Sequence, residues 1–129
     1  MILVDSDVLI AHLRGLDVAR AWLRDARTTT GRLAMSVVSL AEITGGMRSG
    51  ERATVRRLLD GFQVQGADEA VARRAGELMR RYRRSHHGIG LGDYLIAATV
   101  DLAGLELATL NVRHFPMFKG LRPPFPLPD

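Results

Sequence analysis

The sequence contains no cysteine, which excludes a disulfide framework and any thiolate metal site and fits a reducing compartment. It also has no long apolar run. Its longest uncharged stretch, Leu33 to Ala41, has nine residues, against the ~20 consecutive apolar residues that a membrane-spanning helix needs. Asp5 and Asp7 interrupt the apolar opening and no basic segment precedes them, so the start does not read as a secretory leader. Lysine is nearly missing: of 18 basic residues, 17 are arginine and only Lys119 is lysine. Together these absences give the expectation of a soluble, cytoplasmic protein with no membrane partner.

What is present is ordinary for a globular chain. At 129 residues and 47% hydrophobic, residues 1–129 are expected to form one domain that buries roughly two-thirds of its unfolded surface. The net charge of +4 permits a polyanionic partner, and arginine forks match phosphate bidentately. An arginine-favouring genome explains the excess equally well.

Short apolar segments alternate with helical patterns. "MILVD" reads as a buried strand and "DVLIAHLRG" as a helix that stops near Gly15. Asp17 is a plausible N-cap for a helix "VARAWLRDAR", with a loop at "TTTGR". "RLAMS" reads as a second strand. "VVSLAEITGGM" reads as a helix with Ser39 capping and Glu42 at capping-box spacing. "FQVQGA" is a third strand, and "DEAVARRAGELMRRYRR" is a helix capped by Asp68. In that helix Ala70, Val71, Ala75, Leu78, Met79 and Tyr82 share a face. After the loop "SHHGIGLG" comes an all-round apolar, hence buried, helix "DYLIAATVDLAGL" and a fourth strand "LELATLN". The tail holds all five prolines and is expected to be irregular, with room for one edge strand. The alternation defines an α/β fold with a parallel sheet covered on both faces.

Among the 14 acidic residues, three sit in apolar surroundings where a strand hands over to a helix: Asp5, Glu42 and Asp93. Ligands of open α/β sheets bind at the carboxyl ends of the strands. Two carboxylates about 4 Å apart repel by roughly 4 kcal/mol at an effective dielectric near 20. A hard divalent cation with oxygen ligands, Mg²⁺ or Mn²⁺, reverses that sign. Each residue also has a plain structural account: Asp93 as a favourable charge at a helix start, Glu42 as half of a capping box, Asp5 closing a turn. His86 and His87 form a weak metal-binding pattern and read as solvent-facing. The run "RRYRR", Arg80 to Arg84, reads either as a basic rim for a polyanion or as cations favoured at a helix end.

Four stretches, "ILVDSDVLI", "SVVSLAEI", "GLGDYLIAATVDLAGLELAT" and "TLNVRHF", come in an order and spacing that resemble the PIN-domain ribonucleases. Within these they are most similar to the VapC-type toxins of toxin–antitoxin pairs. The resemblance implies a PIN-like fold, a four- to five-stranded mainly parallel sheet flanked by helices. It also implies a metal-dependent endoribonuclease that hydrolyses RNA phosphodiester bonds with a metal-activated water. Asp5, Glu42 and Asp93 match the family's acidic positions and would hold Mg²⁺ or Mn²⁺. Where many members have a fourth acidic residue this chain has Asn111, which joins the catalytic set without contributing charge. Asp7 is expected to support the first ligand or cap a helix, and His114 to touch substrate or face solvent. The family further implies a VapB-type antitoxin partner and a homodimer, with Leu13, Leu16, Trp22 and Leu23 as groove or plain core.

Two other readings compete. A haloacid-dehalogenase-type phosphatase would use "DSD", but it needs an upstream lysine, and Glu42 is left without a role. A PIN-like module that binds RNA or a partner without cutting is favoured only by the missing fourth carboxylate.

Overall fold

The computed structural model describes residues 1–127; Pro128 and Asp129, the last two of the proline-rich tail, lie outside the described residues. Four strands, β1 (Ile2–Val4), β2 (Leu33–Ser36), β3 (Phe62–Gln65) and β4 (Glu106–Ala108), form one sheet in the order β3-β2-β1-β4. Every pairing is parallel. Leu3 lies opposite Ala34 on one side and Leu107 on the other, and Leu33 opposite Phe62. Six helices connect them: α1 (Ser6–Leu13), α2 (Asp17–Thr30), α3 (Val37–Gly46), α4 (Arg52–Leu59), α5 (Glu69–Tyr82) and α6 (Leu91–Ala103).

Strand side chains alternate between faces, and here the alternation divides the core in two. Val4, Leu33 and Met35 point into one cluster with Val8, Leu9, Leu23, Ile43 and Phe62. Leu3 and Ala34 point the other way, into a second cluster with Val71, Leu78, Tyr94, Ile96 and Phe115. Both faces of the sheet are therefore covered, as a parallel sheet requires. α6 is buried along Ile96, Ala97, Ala98, Thr99 and Val100, which explains its nearly continuous apolar sequence.

Several local expectations are corrected. Leu16, not Asp17, is the N-cap of α2 and makes no side-chain bond; Asp17 is the first helical residue. The helix then runs on through Thr28, Thr29 and Thr30 to Gly31 at φ +81°. The threonine hydroxyls bond back into the helix, Thr28 Oγ1 to the Arg24 carbonyl and Thr30 Oγ1 to that of Ala26, so the predicted loop does not open there. α3 is capped by Ser36, whose Oγ accepts from the Val38 N–H at 3.0 Å. Ser39, expected as the cap, lies buried within the helix. Ala70 is exposed, and the buried stripe of α5 is Val71, Ala75 and Leu78. Among the described residues the tail forms no strand. Asp68 caps α5 as expected, accepting from Val71 N–H at 3.0 Å. Because Ser36 is fully buried, Ser36→Ala should cost about 1 kcal/mol, read as a lower urea midpoint at unchanged slope.

Candidate active site

β1 ends where its polar residues begin. Asp5 continues the pairing of β1 with β4 through its N–H to the Ala108 carbonyl (2.9 Å), then caps α1, Oδ1 accepting from Ser6 N–H at 2.8 Å. Its other oxygen, Oδ2, accepts from the hydroxyl of Thr109 at 2.8 Å. Thr109 stands one residue beyond β4 and is fully buried. The same hydroxyl lies 3.2 Å from Asp7 Oδ2 and accepts from the Asn111 N–H at 3.1 Å. Asp7, in the first turn of α1, also accepts from Leu110 N–H at 3.0 Å, so it clamps the exit of β4 against the start of α1. Its second oxygen, Oδ1, is buried with no hydrogen-bond partner.

This is an expensive arrangement. Asp5 is only 5% exposed. Desolvation, then the charge of Asp7, and more weakly that of Asp93, push its carboxyl up to about 6, against the opposing pull of the Thr109 and Ser6 hydrogen bonds. Asp7 is raised as well, chiefly by desolvation. Among the described residues, no arginine, lysine or histidine forms a salt bridge with Asp5, Asp7 or Glu42.

Glu42 reaches the site from the middle of α3, where its Oε1 accepts from the Ser6 hydroxyl at 3.3 Å. That hydroxyl is 3.5 Å from Asp5 Oδ1, so Ser6 stands between the two carboxylates. Because Ser36 rather than Ser39 caps α3, Glu42 stands too far along the helix to complete a capping box. Asp93 is the third residue of α6, and its Oδ2 accepts from Gly90 N–H at 3.3 Å. Gly92 permits α6 to approach α3 here: a Cβ would lie 3.2 Å from Val38 Cγ1. Asp93 Oδ2 is also 2.9 Å from His114 Nδ1, itself 2.8 Å from the Asn111 side-chain amide. One Nδ1 hydrogen serves Asp93 only if the amide presents its oxygen to the ring, which a half-turn of Asn111 provides.

Asp5 and Glu42 thus meet through Ser6, whereas Asn111 touches Asp93 only by way of His114. Among the described residues, no three acidic or imidazole side chains are drawn together tightly enough to enclose an ion as they stand. The donors nonetheless suit a hard cation: they are carboxylate and hydroxyl oxygens, two of the carboxylates desolvated, one oxygen without a partner. His86 and His87 are exposed. Leu23 is core, and Trp22 packs on Phe125 with ring centroids 6.4 Å apart. Sequence reading missed Thr109 and the contact between His114 and Asp93. The signal for Thr109 was a lone hydroxyl in "ATLN", directly after an apolar strand.

A parallel sheet with acidic side chains at its carboxyl edge, split between α1, α3 and α6, is the plan of a PIN domain, and the PIN domain family matches residues 2–118. The chain belongs to that family. Within it, the chain is similar to the ribonucleases VapC of Mycobacterium tuberculosis. It is 68% identical to Ribonuclease VapC10 of strain H37Rv over 128 residues, 99% of this chain and 96% of that one. It is 39% identical to Ribonuclease VapC19 of the same strain over 125 residues, 97% of this chain and all of that one. The fold matches a toxin–antitoxin complex from Klebsiella pneumoniae with a TM-score of 0.78 at 24% identity, covering 98% of this chain and 100% of that one.

Proposed function

We propose that this chain is a Mg²⁺- or Mn²⁺-dependent endoribonuclease, the toxin of a VapBC-type pair, in which Asp5, Glu42 and Asp93 hold the ion. The observation that carries the reading is the uncompensated anionic pit. Buried Asp5 and half-buried Asp7 sit side by side and, among the described residues, neither forms a salt bridge; Asp5 is raised to about 6, chiefly by burial. Hydrogen bonds from Thr109 and Ser6 offset only part of the cost of burying Asp5, and a bound cation would offset the rest.

Bound there, a divalent cation supplies an activated water and stabilises the charge that develops on the phosphoryl oxygens. The chain's own residues set the stage. Thr109 fixes Asp5 and Ser6 orients Glu42 toward it. His114 holds Asp93 and links it to Asn111. Arg83 lies near enough to the buried Tyr94 hydroxyl for its charge to oppose the rise that burial causes there, beside Asp93. With Arg80 and Arg84 it lines a concavity of about 410 Å³, and among the described residues none of the three is ion-paired. That concavity suits the backbone of an RNA strand.

The 68% identical relative is a VapC ribonuclease and the fold matches a chain of a toxin–antitoxin complex, which together support a VapB-type antitoxin as partner; a homodimer as the working form belongs to the same proposal. No helix among the described residues is long and apolar enough to cross a membrane. The test is cleavage of a structured RNA with Mg²⁺ or Mn²⁺ present, with EDTA and Asp93→Asn as controls. Cleavage should stop in both controls, and co-expressed antitoxin should restore growth. Equal RNA survival with wild type and with Asp93→Asn would leave a binding module in place of an enzyme.

A further inference from the structure

α2 carries a second charged feature that the nuclease reading does not use. Arg20, Arg24 and Arg27 stand at i, i+4 and i+7, one face of a helix. With His12, Leu23, Thr28 and Leu58 they line a cleft of about 370 Å³, within the size range of small-ligand sites. Among the described residues, none of the three guanidinium groups forms a salt bridge.

Two of the three are positioned. Arg20 Nε donates to the His12 carbonyl at 3.4 Å. Arg27 lies over the Phe62 ring, 5.2 Å from its centroid, and packs against Gly61, where a Cβ would come within 2.6 Å of Nη2. At the wall of the same cleft, His12 Nδ1 is buried without a hydrogen-bond partner. Desolvation, Arg20 and Arg27 together depress the charged form of that ring. Like charges gathered without a counter-ion repel, and with the ring hydrogen assigned to Nδ1 the neutral imidazole among them has nothing to donate to. An anion with several oxygens answers both deficits: arginine forks bind phosphate bidentately.

The cleft is separate from the acidic site. Arg27 reaches Phe62, the first residue of β3, at the amino end of the parallel sheet, whereas Asp5 follows the carboxyl end of β1. We infer that the cleft between α1, α2 and α4 is a phosphate-binding site, built by Arg20, Arg24 and Arg27 with His12 as the fourth donor.

The phosphate has two possible sources, a flanking phosphodiester of the RNA strand or a free phosphorylated nucleotide. Only the first rests on the nuclease reading. The experiment uses the full chain at low salt, because exposed arginines are screened at high ionic strength. Inorganic phosphate and adenosine 5′-monophosphate are titrated while the His12 ring signals are followed by NMR. Both should shift those signals saturably. Arg24→Glu should weaken binding by about tenfold or more, the loss of at least one charge-assisted hydrogen bond. Gly61→Ala, which displaces Arg27 without removing charge, should weaken it by less, and unchanged thermal melting shows that both variants fold.

If Arg24→Glu also raises KM for a long RNA at unchanged kcat, and leaves a tetranucleotide unaffected, the ligand is the strand. If RNA kinetics are unchanged while nucleotide binding is lost, the ligand is the free nucleotide. His12 signals that ignore both probes, or probe binding that survives Arg24→Glu, overturn the site. Protection of Arg24 by an acidic antitoxin segment, with no response to phosphate, would overturn it too and give the cleft to a peptide. Failure of RNA cleavage with phosphate binding intact would instead strike only the nuclease reading.

Discussion

Asp5→Asn should reduce RNA cleavage by about a hundredfold or more and yet yield a more stable protein at pH 7.5 in EDTA, by up to about 3 kcal/mol. The two effects share one cause. In the wild type the carboxyl is pushed from 3.8 to about 6, and each pKa unit corresponds to about 1.4 kcal/mol of unfavourable ionisation in the folded state. Well below pH 3.8 the group is neutral whether the chain is folded or not, and wild type and variant should then differ little. Between there and about pH 6 the folded protein keeps a proton that the unfolded chain has released, so wild-type stability falls as pH rises. Above about pH 6 the full penalty is present.

Asparagine fits the same sockets. Its carbonyl accepts from Ser6 N–H, and its amide donates to Thr109 Oγ1, which is then free to donate to Asp7 Oδ2, 3.2 Å away. Manganese at 100 times its dissociation constant should stabilise the wild type by about 2.7 kcal/mol and the variant hardly at all. Urea unfolding at pH 4 and 7.5, with and without Mn²⁺, measures all of this. A variant that is less stable than wild type in EDTA at pH 7.5 would show that Asp5 is a structural acid.

The parts of this protein legible in its sequence are those governed by periodicity. Four apolar segments between helical patterns gave the four strands. The alternation of Leu3 against Val4, and Ala34 against Leu33 and Met35, divides the core between two faces. Asp5 and Asp93 stood out because a carboxylate in an apolar run is conspicuous in one dimension. Helix boundaries were less legible. Ser36 and Ser39 are both good caps by type, and only the end of β2 at Ser36 selects the first. Thr28, Thr29 and Thr30 have low helix propensity, but the hydroxyls of Thr28 and Thr30 bond back into α2 and the helix continues.

The contacts that give the site its character were not legible, because they join residues distant in sequence. Thr109 meets Asp5 from 104 positions away, His114 meets Asp93 from 21, and Ser6 meets Glu42 from 36. No spacing rule links such pairs; the strand order does, by setting the end of β4 beside the end of β1. The resemblance to PIN domains matched the acidic trio that its apolar surroundings had already singled out. It added Asn111 to the catalytic set, and the fold ties Asn111 to Thr109 and, through His114, to Asp93.

Thr109→Val is the converse experiment to Asp5→Asn and should cost about 3 kcal/mol at pH 7.5. Valine keeps the shape of threonine and removes a hydroxyl that makes a 2.8 Å bond to Asp5 and accepts from Asn111 N–H at 3.1 Å. A hydrogen bond to a charged group contributes about 1.5–3 kcal/mol, and leaving a buried acceptor without a donor costs a similar amount. Asp7 is cushioned by its second donor, the Leu110 N–H; Asp5 retains only Ser6 N–H and a long contact with the Ser6 hydroxyl. Since the Thr109 bond is the strongest influence holding the Asp5 carboxyl down, its loss raises that group further. The cost of the substitution should therefore be largest above pH 6 and shrink as the carboxyl takes up its proton. Thr109→Ser retains the hydroxyl and should lose only the packing of one methyl, about 1 kcal/mol, with no change in pH dependence. In an Asp5→Asn background the valine substitution should cost about 1 kcal/mol, because the acceptor it strands is no longer charged; the coupling of about 2 kcal/mol is what a double-mutant cycle would read. Equal losses for valine and serine at pH 4 and pH 7.5 would reduce Thr109 to a packing residue. The buried carboxylate would then depend for its position on Ser6 alone.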